Sequence, residues 1–347
     1  MIEVSLNILV WNDEKYLPDL FASIRKQTYP HITVRMLDNG STDGTLAYIR
    51  EHAPEWLVAH NNKNLGFARG HNQIMTAAMH RWQGQDLTQK VIVIANSDMV
   101  FDERLIERLV EALEKSPDVD CVQPKLFRAF ATKEGEDEQG KMLSDIIDTT
   151  GLVGHKNWRL EDRGAGEKDM GQYDSATDPL APAGALALYR ASALADVAEG
   201  ADFFDGDFNT YREDCDLGLR LRRAGHKTVF APSAHGWHYR GMYGAAQRNL
   251  WERLKDRVKQ GGWRKAMSTR NQLFVLIKNL TAADVLRAFP RVLFHEGGRV
   301  GYALIAEPET RRLLLSSGSL FVRMWGKRKK ILASAKESPQ IIRRYMV

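Results

Sequence analysis

Residues 91–98 read VIVIANSD and residues 103–115 read ERLIERLVEALEK. The first run is apolar and mostly β-branched until it stops at Asn96-Ser97-Asp98. A short unbroken apolar run that ends in turn formers predicts a strand buried on both faces. In the second run Leu105, Ile106, Leu109, Val110 and Leu113 form one helical stripe. The same alternation continues upstream: Val4–Val10 reads as a strand, Tyr16–Gln27 as a helix, and Ile32–Leu37 as a strand ending at Asp38. Asp43–His52 then reads as a helix, Trp56–Ala59 as a short strand and Gly66–Arg81 as a helix. Downstream, Leu180–Tyr189 reads as a strand, Asp214–Ala224 as a helix closing at Gly225, and Lys227–Ala231 as a last strand cut by Pro232. Strands alternating with helices of this length predict an α/β fold, a mostly parallel, doubly wound central sheet flanked by helices. Such sheets bind ligands beyond the carboxyl ends of their strands, where Asp38 and Asp98 both fall. Residues 128–178 hold many Gly and charged residues without a sustained period, and are predicted to form a long loop over the site.

The chain has 347 residues and a net charge of +5, which conceals an asymmetry. Residues 240–347 carry 23 Lys and Arg against 7 Asp and Glu, a net of +16. Residues 1–239 carry 26 against 37, a net of −11. An acidic body with a basic, helical tail predicts two regions, 1–240 and 241–347, the second directed at an anionic surface. Apolar stretches at Leu273–Leu280 and Val285–Phe294 suggest that tail helices around 273–294 lie in a membrane interface. No window of 18 apolar residues occurs and no signal peptide is read at the start, so the expectation is a cytoplasmic protein, peripheral on the inner face of the membrane. Two cysteines, Cys121 and Cys215, exclude a disulfide scaffold. Nucleic acid is not expected as a partner, because no recognised binding module accompanies the charge.

No G-x-G-x-x-G follows the first strand. Four other strings carry chemistry. Asp38-Asn39-Gly40-Ser41-Thr42-Asp43-Gly44-Thr45 puts a carboxylate at a strand end before a Gly-rich turn into a helix, placed to accept hydrogen bonds from a base or ribose. Asn96-Ser97-Asp98 offers a carboxylate to a hard divalent cation. Glu213-Asp214-Cys215-Asp216 opens a helix with three acids, any of which could cap it or act as a general base. His235-Gly236-Trp237-His238-Tyr239 offers two candidate imidazole ligands, and spacing does not choose between them.

In this order the strings resemble glycosyltransferase family 2, with its GT-A fold, in the rhamnosyltransferase-like branch. The resemblance rests also on Val10-Trp11-Asn12-Asp13-Glu14, on Asn64-Leu65-Gly66-Phe67-Ala68-Arg69-Gly70-His71-Asn72, and on Pro182-Ala183-Gly184-Ala185. Arg270-Asn271-Gln272-Leu273 and the stretch Asp162 to Asp174 look like the rhamnosyltransferase branch. The resemblance implies inverting transfer of a sugar from a nucleotide diphosphate-sugar donor to a saccharide or lipid-linked acceptor in cell-surface polysaccharide synthesis, with Mg²⁺ or Mn²⁺ as cofactor. It implies Asp214 as the catalytic base, Asn12, Asp38, Arg69, Asn72, Asn96 and Ser97 on the donor, Asp98 and His238 on the metal, with His235 as the rival ligand, and Gly184, Glu213 and Trp237 on the acceptor side. Asn96 stands where the family's D-x-D element has its first Asp, which predicts weaker metal affinity. Two competing readings are a sugar-nucleotidyltransferase, which lacks support because Asn12-Asp13-Glu14 replaces the expected Gly-rich basic loop, and a non-catalytic sugar- or lipid-binding scaffold.

Overall fold

The computed structural model describes residues 1–134, 138–239, 261–338 and 340–347. Its strands are β1 (Glu3–Val10), β2 (Ile32–Asp38), β3 (Leu57–His60), β4 (Lys90–Asn96), β5 (Met99–Phe101), β6 (Cys121–Glu134), β7 (Glu138–Thr149), β8 (Leu152–Gly154), β9 (Leu160–Asp162), β10 (Leu186–Arg190) and β11 (Thr228–His238). The central sheet runs β3-β2-β1-β4-β10-β6-β11-β5, with β7 paired to β6. β3, β2, β1 and β4 are parallel, as the alternation predicts, while β10 enters antiparallel between β4 and β6. Helices α1 (Leu17–Arg25), α2 (Thr45–His52), α3 (Phe67–Arg81), α4 (Leu105–Lys115), α5 (Ala191–Asp196) and α6 (Glu213–Arg223) flank it. Val91 to Ala95 are fully buried because helices cover both faces of β4, and the predicted stripe of α4 is its buried face.

Two expectations are corrected. Residues 128–178 are not one long loop. Most of the first part is the β6–β7 hairpin, followed by the small β8–β9 sheet; residues 135–137 lie outside the described set. The strand read up to Ala231 does not end at Pro232: β11 continues to His238 across an irregularity between Ala231 and His235. Such a register break accommodates a residue that cannot donate to the ladder.

The tail is helical where it is described: α7 (Gly262–Asn279), α8 (Ala282–Val292), α9 (Gly298–Ala306), α10 (Pro308–Ser316), α11 (Gly318–Ala333) and α12 (Gln340–Arg343). The junction at 240–241 and the start of the tail to 260 lie outside the described residues. Contrary to expectation, the first apolar stretch of the tail is core: Phe274, Val275, Leu276 and Leu280 pack with Phe208, Leu219 and Leu180. The chain end is also built in, since Val347 N–H donates to Gly154 O at 2.9 Å and Ile342 is buried in the same cluster.

Candidate active site

The parallel register aligns the strand ends. Val10 lies opposite Asp38, and Leu9 opposite Asn96, so the segments after β1, β2 and β4 share one lip of the sheet. Asn12 holds a left-handed φ of 56° and accepts from Thr42 N–H at 2.8 Å, tying the β1 end to the turn after β2. Asp38 is buried and accepts from Ser41 N–H at 3.2 Å. Ser97 Oγ donates to Asp13 Oδ2 at 2.5 Å, joining the ends of β1 and β4. Burial raises the Asp13 pKa, against the lowering pull of that hydrogen bond.

Because β10 runs antiparallel, its start lies at the same lip. Asn96 N–H donates to Ala185 O at 2.9 Å, and Gly184 N–H donates to Asp214 Oδ2 at 3.0 Å. Thus Asp214, on the first turn of α6, is connected through two residues, Gly184 and Ala185, to the Asn96–Asp98 turn. The other oxygen of Asp214 accepts from Cys215 N–H at 2.8 Å. A Cβ at Gly184 would stand 3.2 Å from Asp214 Cβ and Oδ2, a tight contact that would displace the Asp214 side chain by a few tenths of an ångström. Glu213, expected on the acceptor side, is 5% exposed. Among the described residues its Oε2 has no hydrogen-bond partner, and burial, then the charge of Asp214, hold its pKa well above the carboxylate range.

The two histidines have different surroundings. His238 Nε2 lies 3.1 Å from Asp98 Oδ1, and its Nδ1 lies 2.9 Å from Asp148 Oδ2. His235 Nε2 instead meets Pro232 O at 2.8 Å. Asn96 Nδ2 is 3.4 Å from His238 Nε2. Burial opposes a charge on His238, but Asp98 and Asp148 outweigh it and push its pKa up to about 10. The donor set fits a divalent cation: a carboxylate and an imidazole nitrogen converge, and a second carboxylate fixes the far nitrogen. Asp148 was not predicted, nor was Arg128, whose Nε stands 3.8 Å from Asp148 Oδ1. Neither has a local motif. They reach the site only through pairing, Arg128 opposite His238 and β7 beside β6.

The remaining predicted residues are placed as follows. Arg69 is exposed on the first turn of α3 and its side chain runs beside Gly206. Asn72 is buried and its carboxamide is engaged by the loop backbone: Oδ1 accepts from Phe203 and Phe204 N–H, and Nδ2 donates to Phe204 O at 2.7 Å. Trp237 stacks on Phe127, with centroids 6.0 Å apart, and donates to Ser144 O at 3.2 Å.

The loop that delivers Asp214 is strained. Asn209, Tyr211 and Arg212 all have positive φ, of 65°, 74° and 74°, at about 1–3 kcal/mol each. The tail holds it. Asn271 Nδ2 lies within hydrogen-bond reach of Phe208, Thr210 and Tyr211 carbonyls at 2.8, 2.9 and 2.7 Å. Arg270 donates to Asp207 O and Phe208 O at 3.1 Å each.

Glu199, Asp205 and Asp216 bring carboxylate oxygens within 4.8 Å of one another, a constellation that by composition suits a cation. The cation there is the protein's own. Lys278 Nζ of α7 contacts all three, at 2.8, 2.6 and 2.9 Å, while Arg220 and Lys327 close the cage on Asp216 and Asp205. Burial disfavours the charged Asp205 and Asp216, yet Lys278 with Lys327 and Arg220 keeps both pKa values below the usual range. We therefore assign this trio to structure rather than to metal binding.

The chain is similar to known proteins. A model described as glycosyl transferase family 2 matches residues 5–164, and one described as glycosyl transferase family group 2 matches residues 91–261. An N-acetylglucosaminyl-diphospho-decaprenol L-rhamnosyltransferase of Mycobacterium tuberculosis is 25% identical over 234 residues, covering 65% of this chain and 72% of that protein. The O-antigen biosynthesis protein RfbC of Myxococcus xanthus is 27% identical over 216 residues, covering 61% of this chain and 15% of that protein. Among solved structures, S. aureus TarS 1-349 in complex with UDP has a TM-score of 0.53 at 15% identity, covering 99% of this chain and 88% of that one. Mannosyltransferase PcManGT from Pyrobaculum calidifontis, in complex with GDP-Man and Mn²⁺, has a TM-score of 0.50 at 13% identity, covering 96% and 85%. These structural likenesses show the GT-A fold. On the sequence matches, whose two family models together span residues 5–261, the chain belongs to glycosyltransferase family 2, in the rhamnosyltransferase-like branch.

Proposed function

We propose that the protein transfers a sugar, with inversion, from a nucleotide diphosphate-sugar to a saccharide or lipid-linked saccharide in cell-surface polysaccharide synthesis. The observation that carries this reading is the connection of Asp214 through Gly184 and Ala185 to Asn96, which sets a carboxylate and the Asp98–His238 pair on one lip. Asp214 takes the proton from the acceptor hydroxyl as it attacks. Its Oδ2 is oriented by Gly184 N–H, so the base faces the lip. Asp98 and His238 would hold a divalent cation, with Asp148 fixing the imidazole, and a cation there would supply Lewis-acid neutralisation of charge on the nucleoside diphosphate. Asn12, Asp38, Arg69, Asn72, Asn96 and Ser97 form the donor side, and Gly184, Glu213 and Trp237 the acceptor side. Single displacement requires no enzyme nucleophile, only exclusion of water from the donor. Residues 1–240 carry donor binding and catalysis on this reading, and the basic tail meets an anionic membrane surface on the cytoplasmic side. The names of the relatives support a lipid-linked acceptor and the rhamnosyl donor, and the Mn²⁺ of the mannosyltransferase supports the cofactor.

The test separates chemistry from binding. Asp214→Asn is expected to lower transfer by about 10²–10⁴-fold while nucleoside diphosphate binding persists. Asp98→Ala is expected to weaken binding of nucleoside diphosphate in Mn²⁺ measured by calorimetry. Full turnover in the first variant removes the base assignment, and an unchanged titration in the second removes the cation assignment.

A further inference from the structure

The segment Ala282–Ala306 is helical throughout, α8 passing through a wider turn at Leu293–Gly297 into α9. Its polarity is inverted. The buried positions are Asp284, Ala288, Glu296 and Ala303. Asp284 is capped by Thr281 and paired with Arg343 Nε at 2.8 Å, and Glu296 faces Arg299 at 2.5 Å. The exposed positions are large and apolar: Leu286 at 80%, Phe294 at 87% and Ile305 at 84% exposure, with Phe289 and Leu293 also open. Positions 286, 289, 293 and 294 are spaced i, i+3, i+7 and i+8, so they form one stripe. A helix in water buries such a stripe and exposes its acids; here the acids are paired inside and the stripe is outside.

We propose that this stripe inserts into the surface of an anionic lipid bilayer, with the helix lying in the membrane plane. Charge selects the occupant. Both acids of the segment point inward, whereas Arg287 and Arg291, one turn apart, are exposed on the flank of the stripe. The outward side therefore carries only positive charge, which complements an anionic headgroup layer. A symmetric pairing of two copies would place this patch on itself and bring those arginines together. No helix among the described residues is long and apolar enough to cross a membrane, so the contact is superficial.

The position of the helix gives the contact a purpose, and this part rests on the proposed transfer to a lipid-linked acceptor. From the inward side Asp284 Oδ2 stands 3.8 Å from Arg223, the last residue of α6, the helix that carries Asp214. Docking would hold the base beside the bilayer, where a saccharide on a lipid carrier emerges.

The experiment uses the full chain and sedimentation with phosphatidylcholine vesicles, with and without phosphatidylglycerol. The wild type is expected to bind the anionic vesicles and to be released by salt. Phe289→Ser/Leu293→Ser/Phe294→Ser is expected to weaken binding at least about tenfold, and Arg287→Gln/Arg291→Gln roughly fivefold per residue. Donor hydrolysis without acceptor, followed in the same samples, is expected to stay at the wild-type rate; it reports both folding and the enzymatic reading. Unaltered vesicle binding by the triple variant overturns the proposal, as does equal binding to neutral vesicles. A concentration-dependent dimer that the triple variant dissolves also overturns it, assigning the stripe to a second copy. Loss of vesicle binding with hydrolysis retained supports it, whereas absent hydrolysis in the wild type sinks the enzymatic reading and leaves the lipid contact to be judged on sedimentation alone.

Discussion

Two consecutive stretches of the basic tail use their side chains in opposite directions. In α7 Arg270, Asn271 and Lys278 point inward: Arg270 and Asn271 hold the strained loop before α6, and Lys278 fills a cage of three carboxylates. In the segment from 282 to 306 the acids point inward and the apolar side chains outward. The net charge of the tail is thus a sum over two different tasks. The first builds the wall behind the proposed base, and the second presents a surface to something outside. Composition alone suggested a single appendage, because it counts charges without saying which way each one faces.

The sharpest way to break this contrast is to remove the inward cation. Lys278→Met leaves Glu199, Asp205 and Asp216 crowded in the interior, and is expected to cost about 3–5 kcal/mol in urea unfolding. It also changes the acid limb. Asp205 and Asp216 have lowered pKa values in the folded protein, so the stability tied to them is present above the ordinary Asp value near 3.9 and is lost as pH falls through the lowered ones. Without Lys278 their folded pKa values rise, and the acid-unfolding midpoint is expected to move to higher pH. A variant with unchanged urea and acid midpoints would show that α7 is dispensable for the fold. A smaller effect is expected from Asn271→Ala, which strips a partner from three loop carbonyls at about 1–3 kcal/mol. There the informative split is kinetic: kcat for transfer falls while nucleoside diphosphate affinity stays, because the loop positions Asp214 and not the donor turn. The smallest effect belongs to the outward face. Leu286→Ser is expected to shift the urea midpoint by no more than about 0.5 kcal/mol; a larger loss would mean that the stripe is covered within the chain itself.

The parts of the fold legible in the sequence were those encoded by local period. β4 and α4 were readable because five consecutive buried residues and one helical stripe each carry their own signal. The lip was readable in outline because Asp38, Asn96 and Asp98 sit at strand ends. What escaped depends on partners distant in sequence. The β6–β7 hairpin carries Arg128, Lys125 and Asp148 among its apolar residues, and charge in a strand blurs alternation. Asp148 is meaningful only once β7 pairs with β6 and brings it to His238. The inversion of 282–306 was equally hidden, since a stripe of Leu and Phe reads the same whether it faces core or solvent. For Leu273–Leu280 the core was the answer, and for Leu286–Phe294 it was not.

The Lys278 cage also constrains how this lineage can drift. Three carboxylates and three cations meet there, with Lys278, Asp205 and Asp216 fully buried, and Asn279 adds a hydrogen bond to Asp216 at 3.1 Å. Any single replacement strands an opposite charge, although a simultaneous exchange for well-packed apolar residues is tolerable. Substitution at position 278 should therefore be inherited together with changes at 199, 205 or 216, making these four positions a correlated set that joins the tail to α6 across more than sixty residues of intervening chain.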